Sequence, residues 1–219
     1  MINLLWFASL SFLAAISGAI TPGPVFTLVV SESLKHGKIA GPLIVLGHFI
    51  IEWIIIFMIF LGLGSILESE HAMIFVGFVG GVILMLMGLK LLRDAIRLKT
   101  NDVFTINIGF DSVRRPLYVL IALGFLSSCS NPYVFIWWLT IGFPIITSSV
   151  SIAGLPGFLS FLVGHAAADL SWFSFVSYSI YKGKRVMNRI VIQAILFASA
   201  FFLIAFAAFS IILTCLRML

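Results

Sequence analysis

Residues 41–67 read GPLIVLGHFIIEWIIIFMIFLGLGSIL, an apolar run whose only ionisable residues are His48 and Glu52. A membrane span needs about 20 consecutive apolar residues, so this run predicts a transmembrane helix. Five more such runs flank it, at 4–34, 72–92, 117–146, 155–181 and 186–216. The whole chain is 62% hydrophobic and 10% charged, whereas soluble domains run near about 25% charged. No soluble fold hides that much apolar surface. The expectation is an all-α membrane protein of six transmembrane helices in a single domain, residues 1–219.

The net charge of +5 does not point to nucleic acid, because the basic residues sit in short patches between apolar runs. They read as membrane topology instead. Cations concentrate in loops on the cytoplasmic side. Lys35 and Lys38 fall between the first two runs; Lys90, Arg93, Arg97, Lys99, Arg114 and Arg115 between the third and fourth; Lys182, Lys184, Arg185 and Arg189 between the fifth and sixth. The opposite side holds Glu68, Glu70 and His71 in one loop, no charge around Ser148 to Leu155, and Arg217 near the C-terminus. Both termini are therefore expected outside. No Lys or Arg precedes the first run, and it is too long for a signal peptide core, so it reads as a retained span.

The segment from Arg93 to Arg115 is the one long connection, and its Thr100, Asn101, Asp102, Asn107 and Asp111 read as loop. It divides the chain into a first three-helix repeat (1–92), a cytoplasmic loop (93–116) and a second three-helix repeat (117–219). With three spans per half, the second half enters from the opposite face, the arithmetic of inverted repeats. Two internal matches support it. Thr21, Pro22, Gly23 and Pro24 break the first span as Ser130, Asn131 and Pro132 break the fourth. Gly47-His48 with Glu52 four residues on recurs as Gly164-His165 with Asp169 four residues on.

Proline inside a helix removes an amide donor, and in hydrocarbon the freed carbonyls are tolerated only where protein or water satisfies them. Each break should line a cavity, where the positive end of a half-helix favours an anionic group such as a carboxylate. A plain packing kink is the alternative. Glu52 and Asp169 are the carboxylates deepest in apolar runs; such a charge costs about 2.5–3.5 kcal/mol on insertion scales and marks an ion or substrate path. His48 shares a helical face with Glu52, and His165 with Asp169. Each pair suits proton sharing, a purely structural hydrogen bond or, if the halves combine, a divalent cation.

Phe135, Trp137 and Trp138 follow the second break, and Trp53 and Trp172 lie near the carboxylates, offering an apolar wall for substrate. Gly77, Gly80, Gly81 and Gly88 recur at helical spacing in the third run, where small residues let helices approach. Cys129 and Cys215 lie in different runs without a CxxC and read as buried thiols. No protease or phosphate-handling motif is present, so the chain does not read as an enzyme.

The string TPGP at Thr21–Pro24, followed by Gly37, Gly41 and Gly47 and later by Asn131-Pro132, resembles the lysine exporter (LysE/RhtB) family. The resemblance implies six helices, export of amino acids or related small solutes and coupling to the proton gradient. His48, Glu52 and Tyr133 depart from the family's usual residues, so its substrates are not carried over. Thiol-disulfide carriers of the wider superfamily need a cysteine in each half, and the first half has none.

Taken together, the sequence predicts a proton-coupled exporter of the cell membrane whose halves rock around a midplane site. Glu52, Asp169, His48, His165, Thr21, Pro22, Gly23, Pro24, Asn131 and Pro132 are its substrate- and ion-binding residues. No cofactor and no resident metal is expected. The partners are a small solute, most simply an amino acid, protons and the lipid bilayer; nucleic acid is excluded and a homodimer is allowed. The rival readings are a divalent or heavy-metal cation exporter and a non-transporting membrane scaffold.

Overall fold

The computed structural model describes residues 2–64, 66, 69–100, 116–184 and 186–218. Every regular element among the described residues is helical. The order is α1 (Ile2–Ile20), α2 (Pro24–His36), a 3-10 turn (Gly37–Ile39), α3 (Ala40–Phe60), α4 (Glu70–Thr100), α5 (Leu117–Cys129), α6 (Pro132–Trp137), a π-helical turn (Trp138–Gly142), α7 (Phe143–Gly183) and α8 (Arg189–Arg217). Four stretches are long and apolar enough to cross a membrane: Pro24–Phe60, Glu70–Arg97, Pro132–Gly183 and Arg189–Arg217. Leu4–Ile20 and Leu117–Cys129 are shorter apolar helices.

Both expected breaks are present, and proline explains where each chain restarts. Pro24 and Pro132 each occupy the first turn of the following helix, where a missing amide costs nothing and the fixed φ is already helical. Two of the long stretches also bend at glycine. Gly37 has φ 72 and ends α2, and Gly154 has φ 59 inside α7. A Cβ on Gly157 would lie 2.1 Å from the Ser149 carbonyl oxygen, whereas eight residues of straight helix span about 12 Å. The chain therefore folds back at Gly154, giving α7 two arms.

Glycine also sets which helices touch. A Cβ on Gly47 would meet Ile121 O at 1.9 Å and one on Gly124 would meet Ile44 O at 2.0 Å, so α3 and α5 cross with backbones in contact. Gly164 places the second arm of α7 against Ala8 of α1 in the same way, at 2.1 Å. Gly77, Gly81 and Gly88 face Thr214, Ile211 and Ile204, joining α4 to α8, while Gly80 faces the Ser130 backbone at the second break. The close-packing expectation for these glycines holds. At the far end of α2, the buried Lys35 pairs with Asp94 of α4 at 2.6 Å and with Glu32 at 3.4 Å.

Two expectations change. Residues 93–100 continue α4 instead of opening a loop, because Leu91 and Ala95 pack against Ile192 and Leu196 and Gln193 donates to the Ala95 carbonyl. Nor are the cysteines both buried: Cys129 is half-buried and Cys215 exposed. Helices this apolar carry no polar stripe to say which side faces inward. The loop residues 101–115, Glu68 and Arg185 lie outside the described residues.

Candidate functional site

Gly47 and Gly164 precede the two histidines, and each docks its helix onto the first segment of the other half's broken pair. That register turns His48 and Glu52 of α3 toward His165 and Asp169 of α7. His48 Nε2 lies 3.1 Å from Glu52 Oε1, and His165 Nε2 lies 3.3 Å from Asp169 Oδ2. The shortest contact joins the halves: His165 Nε2 sits 2.8 Å from Glu52 Oε1, while His48 Nε2 is 3.9 Å from Asp169 Oδ2. The two expected pairs are thus one cluster of four. Glu52 and Asp169 are 5% and 3% exposed, so each carboxylate depends on these partners for what water would have supplied.

The hydrogen bonds constrain where protons sit. Ser128 Oγ donates to the Gly124 carbonyl at 2.8 Å, so its oxygen accepts from His48 Nδ1, also at 2.8 Å. Neutral His48 then presents a bare Nε2 to Glu52. The close contact between them requires a shared proton, held as a carboxylic acid or as an imidazolium. Trp138 Nε1 donates to the same Glu52 oxygen at 3.3 Å. The His165 ring is enclosed by Trp137, Trp138 and Phe161, with centroids 5.0 to 5.9 Å away.

The cluster opens on a cavity of roughly 390 Å³, inside the range of about 300–1,000 Å³ usual for small-molecule sites. Thr21, Pro22 and Gly23 line it from the first break and Asn131, Pro132 and Tyr133 from the second. Aromatic and aliphatic walls come from Phe26, Ile136, Trp137, Phe173, Phe206, Phe209 and Leu213. Of the ten expected residues, nine line this cavity; Pro24 is buried behind it in the first turn of α2.

The aromatic expectations divide. Trp137 and Trp138 both line the cavity, because the π-helical turn that begins at Trp138 alters the helical register and Gly142 leaves room for the Trp138 ring. Trp53 points away, 54% exposed, and Phe135 and Trp172 are not in the lining. Sequence reasoning missed Ser128, whose only signal was its place just before Asn131-Pro132, and the α8 wall, for which an all-apolar helix gives no signal.

With the geometry in hand, residues 16–214 match the family described as LysE type translocator. The chain belongs to that family. With its long apolar helices it is a multi-pass membrane protein of a translocator family, and the resemblance carried by TPGP and Asn131-Pro132 is to the right family. The chain is also similar to a leucine efflux protein of Enterobacter sp. (strain 638), with 23% identity over 182 residues that cover 81% of each chain. No solved structure matches this translocator.

Proposed function

We propose that this translocator exports an amino acid with an apolar side chain, or a related small solute, across the cell membrane by proton-coupled alternating access. In this reading six spans form two inverted repeats with both termini outside: α1 with α2, α3, and α4 in the first half, then α5 through the first arm of α7, its second arm, and α8. The reciprocal docking of α3 on α5 and of α7 on α1, with α4 on α8 between them, supports a two-fold arrangement. So does the distribution of cations along the sequence.

The observation that carries the proposal is the convergence of both histidine-carboxylate pairs on one apolar cavity. A zwitterion fits its two ends. Its ammonium group meets Glu52 and Asp169, and its carboxylate meets the first turn of α2, where Gly23 caps without a side-chain acceptor and the helix presents free amides and its positive end. The aromatic walls take the apolar side chain, in keeping with the leucine named for the Enterobacter relative. When the ammonium leaves, a proton replaces it on the cluster, so outward solute movement exchanges for inward protons. The two cannot share the carboxylates, and that exclusion is the coupling.

Labelled leucine loaded into proteoliposomes tests this. Efflux should rise when the outside is made acidic and fall to leak when the gradient is collapsed with an ionophore. Efflux indifferent to the gradient removes proton coupling, and no movement of any amino acid in a panel removes the substrate class.

A further inference from the structure

Three of the four clustered groups, His48, Glu52 and Asp169, also lie close enough together to share a metal ion. Tetrahedral coordination with Zn–N and Zn–O lengths of about 2.0–2.2 Å separates neighbouring ligand atoms by about 3.3–3.5 Å. His48 Nε2 lies 3.1 Å from Glu52 Oε1 and 3.9 Å from Asp169 Oδ2. The donor atoms of His48, Glu52 and Asp169 all fall within 4.8 Å of one another.

The surroundings point the same way. The bond from His48 Nδ1 to Ser128 directs Nε2 at the carboxylates, so that its lone pair faces an ion once the proton shared with Glu52 is displaced, the arrangement in which metal-ligating histidines are held by a second partner. Trp138 Nε1 orients Glu52 in the same manner. Two carboxylates balance a doubly charged ion. Imidazole with carboxylate selects zinc, nickel, cobalt or copper, whereas magnesium and calcium require shells of six or more oxygens.

We infer that His48, Glu52 and Asp169 form a binding site for a divalent transition-metal cation, and that the bound ion blocks export. Binding stands on the geometry alone. The block rests on the proposed function, because the ion takes the carboxylates that substrate ammonium and protons would otherwise share.

The test titrates Zn²⁺ into the purified, tag-free, chelator-treated full chain in detergent, following heat and thermal unfolding, with Mg²⁺ as comparison. One Zn²⁺ per chain and a melting midpoint raised by several degrees are expected, with no response to Mg²⁺. His48→Gln keeps an amide for Ser128 but removes the imidazole, and Asp169→Asn removes one anionic ligand; each should weaken Zn²⁺ binding at least ten-fold. Their metal-free melting curves report folding, and either folded variant suffices for the comparison. Absent binding, or equal binding in a folded variant, overturns the site. In proteoliposomes Zn²⁺ should abolish leucine efflux by the wild type. Zn²⁺ binding with no leucine transport at all leaves the site standing and removes the export reading; Zn²⁺ binding with efflux unchanged removes the block.

Discussion

The two broken helices share a plan and differ at their restarts. Both restart on a proline, Pro132 lining the cavity and Pro24 just behind it. At the first, Gly23 is extended and offers no side-chain cap, so the amides of the 13-residue α2 remain available. At the second, Asn131 accepts from the Tyr133 amide at 3.1 Å and caps its own helix, which is six residues long and passes into a π-helical turn. A capped, short helix end has little left for an anion. Under the proposed two-repeat arrangement the two breaks would then do unequal work, the first for ligand and the second for placing Trp137 and Trp138.

The largest effects should come from what the halves have in common. Gly47→Val and Gly164→Val each press a side chain into a backbone oxygen about 2 Å from where its Cβ must sit, and overpacking of this kind costs about 1–3 kcal/mol or more. Both should strip the folded protein from the membrane, read as lost expression and a lowered melting midpoint. A tolerated Gly164→Val beside a ruined Gly47→Val would show that the α1 and α5 crossings are not equivalent.

A middle-sized effect separates the breaks. Gly23→Asn gives α2 the cap that α6 already has, and the φ of −148 at this position suits any residue. The new side chain competes with the substrate carboxylate, so half-saturation for efflux should rise roughly ten-fold, about 1.4 kcal/mol, with folding unchanged. Unaltered efflux would move the carboxylate site elsewhere. The converse, Asn131→Ala, should lower stability by about 0.5–2 kcal/mol and disturb transport mainly through Trp138.

The smallest effect lies outside the cavity. Asn188 caps α8 by accepting from Val191 N at 2.9 Å, so Asn188→Ala should cost about 1 kcal/mol in thermal unfolding and leave efflux per folded molecule unchanged.

How much of this was legible depends on whether the signal was local. Pro22, Pro24 and Pro132 announce their breaks through backbone chemistry, and the repeated Gly-His-x-x-x-carboxylate announces its own face through helical period. Which histidine meets which carboxylate is not local. His165 lies nearer Glu52 than Asp169 because glycine crossings at both helices set their relative depth, and depth is written in no single stretch. Trp53 read as a wall residue because it adjoins Glu52, yet on a helix apolar all round adjacency says nothing of direction. Ser128 and the α8 wall stayed invisible for the same reason.

The central claim is that carboxylates from both halves form one site. Gradient-driven leucine efflux through Glu52→Gln, Asp169→Asn and the double variant, each normalised to folded protein in the vesicles, tests it most directly. The account predicts that either single change lowers efflux to leak and that the double is no worse, since groups acting as a unit fail together. Efflux by the double variant equal to wild type would contradict it.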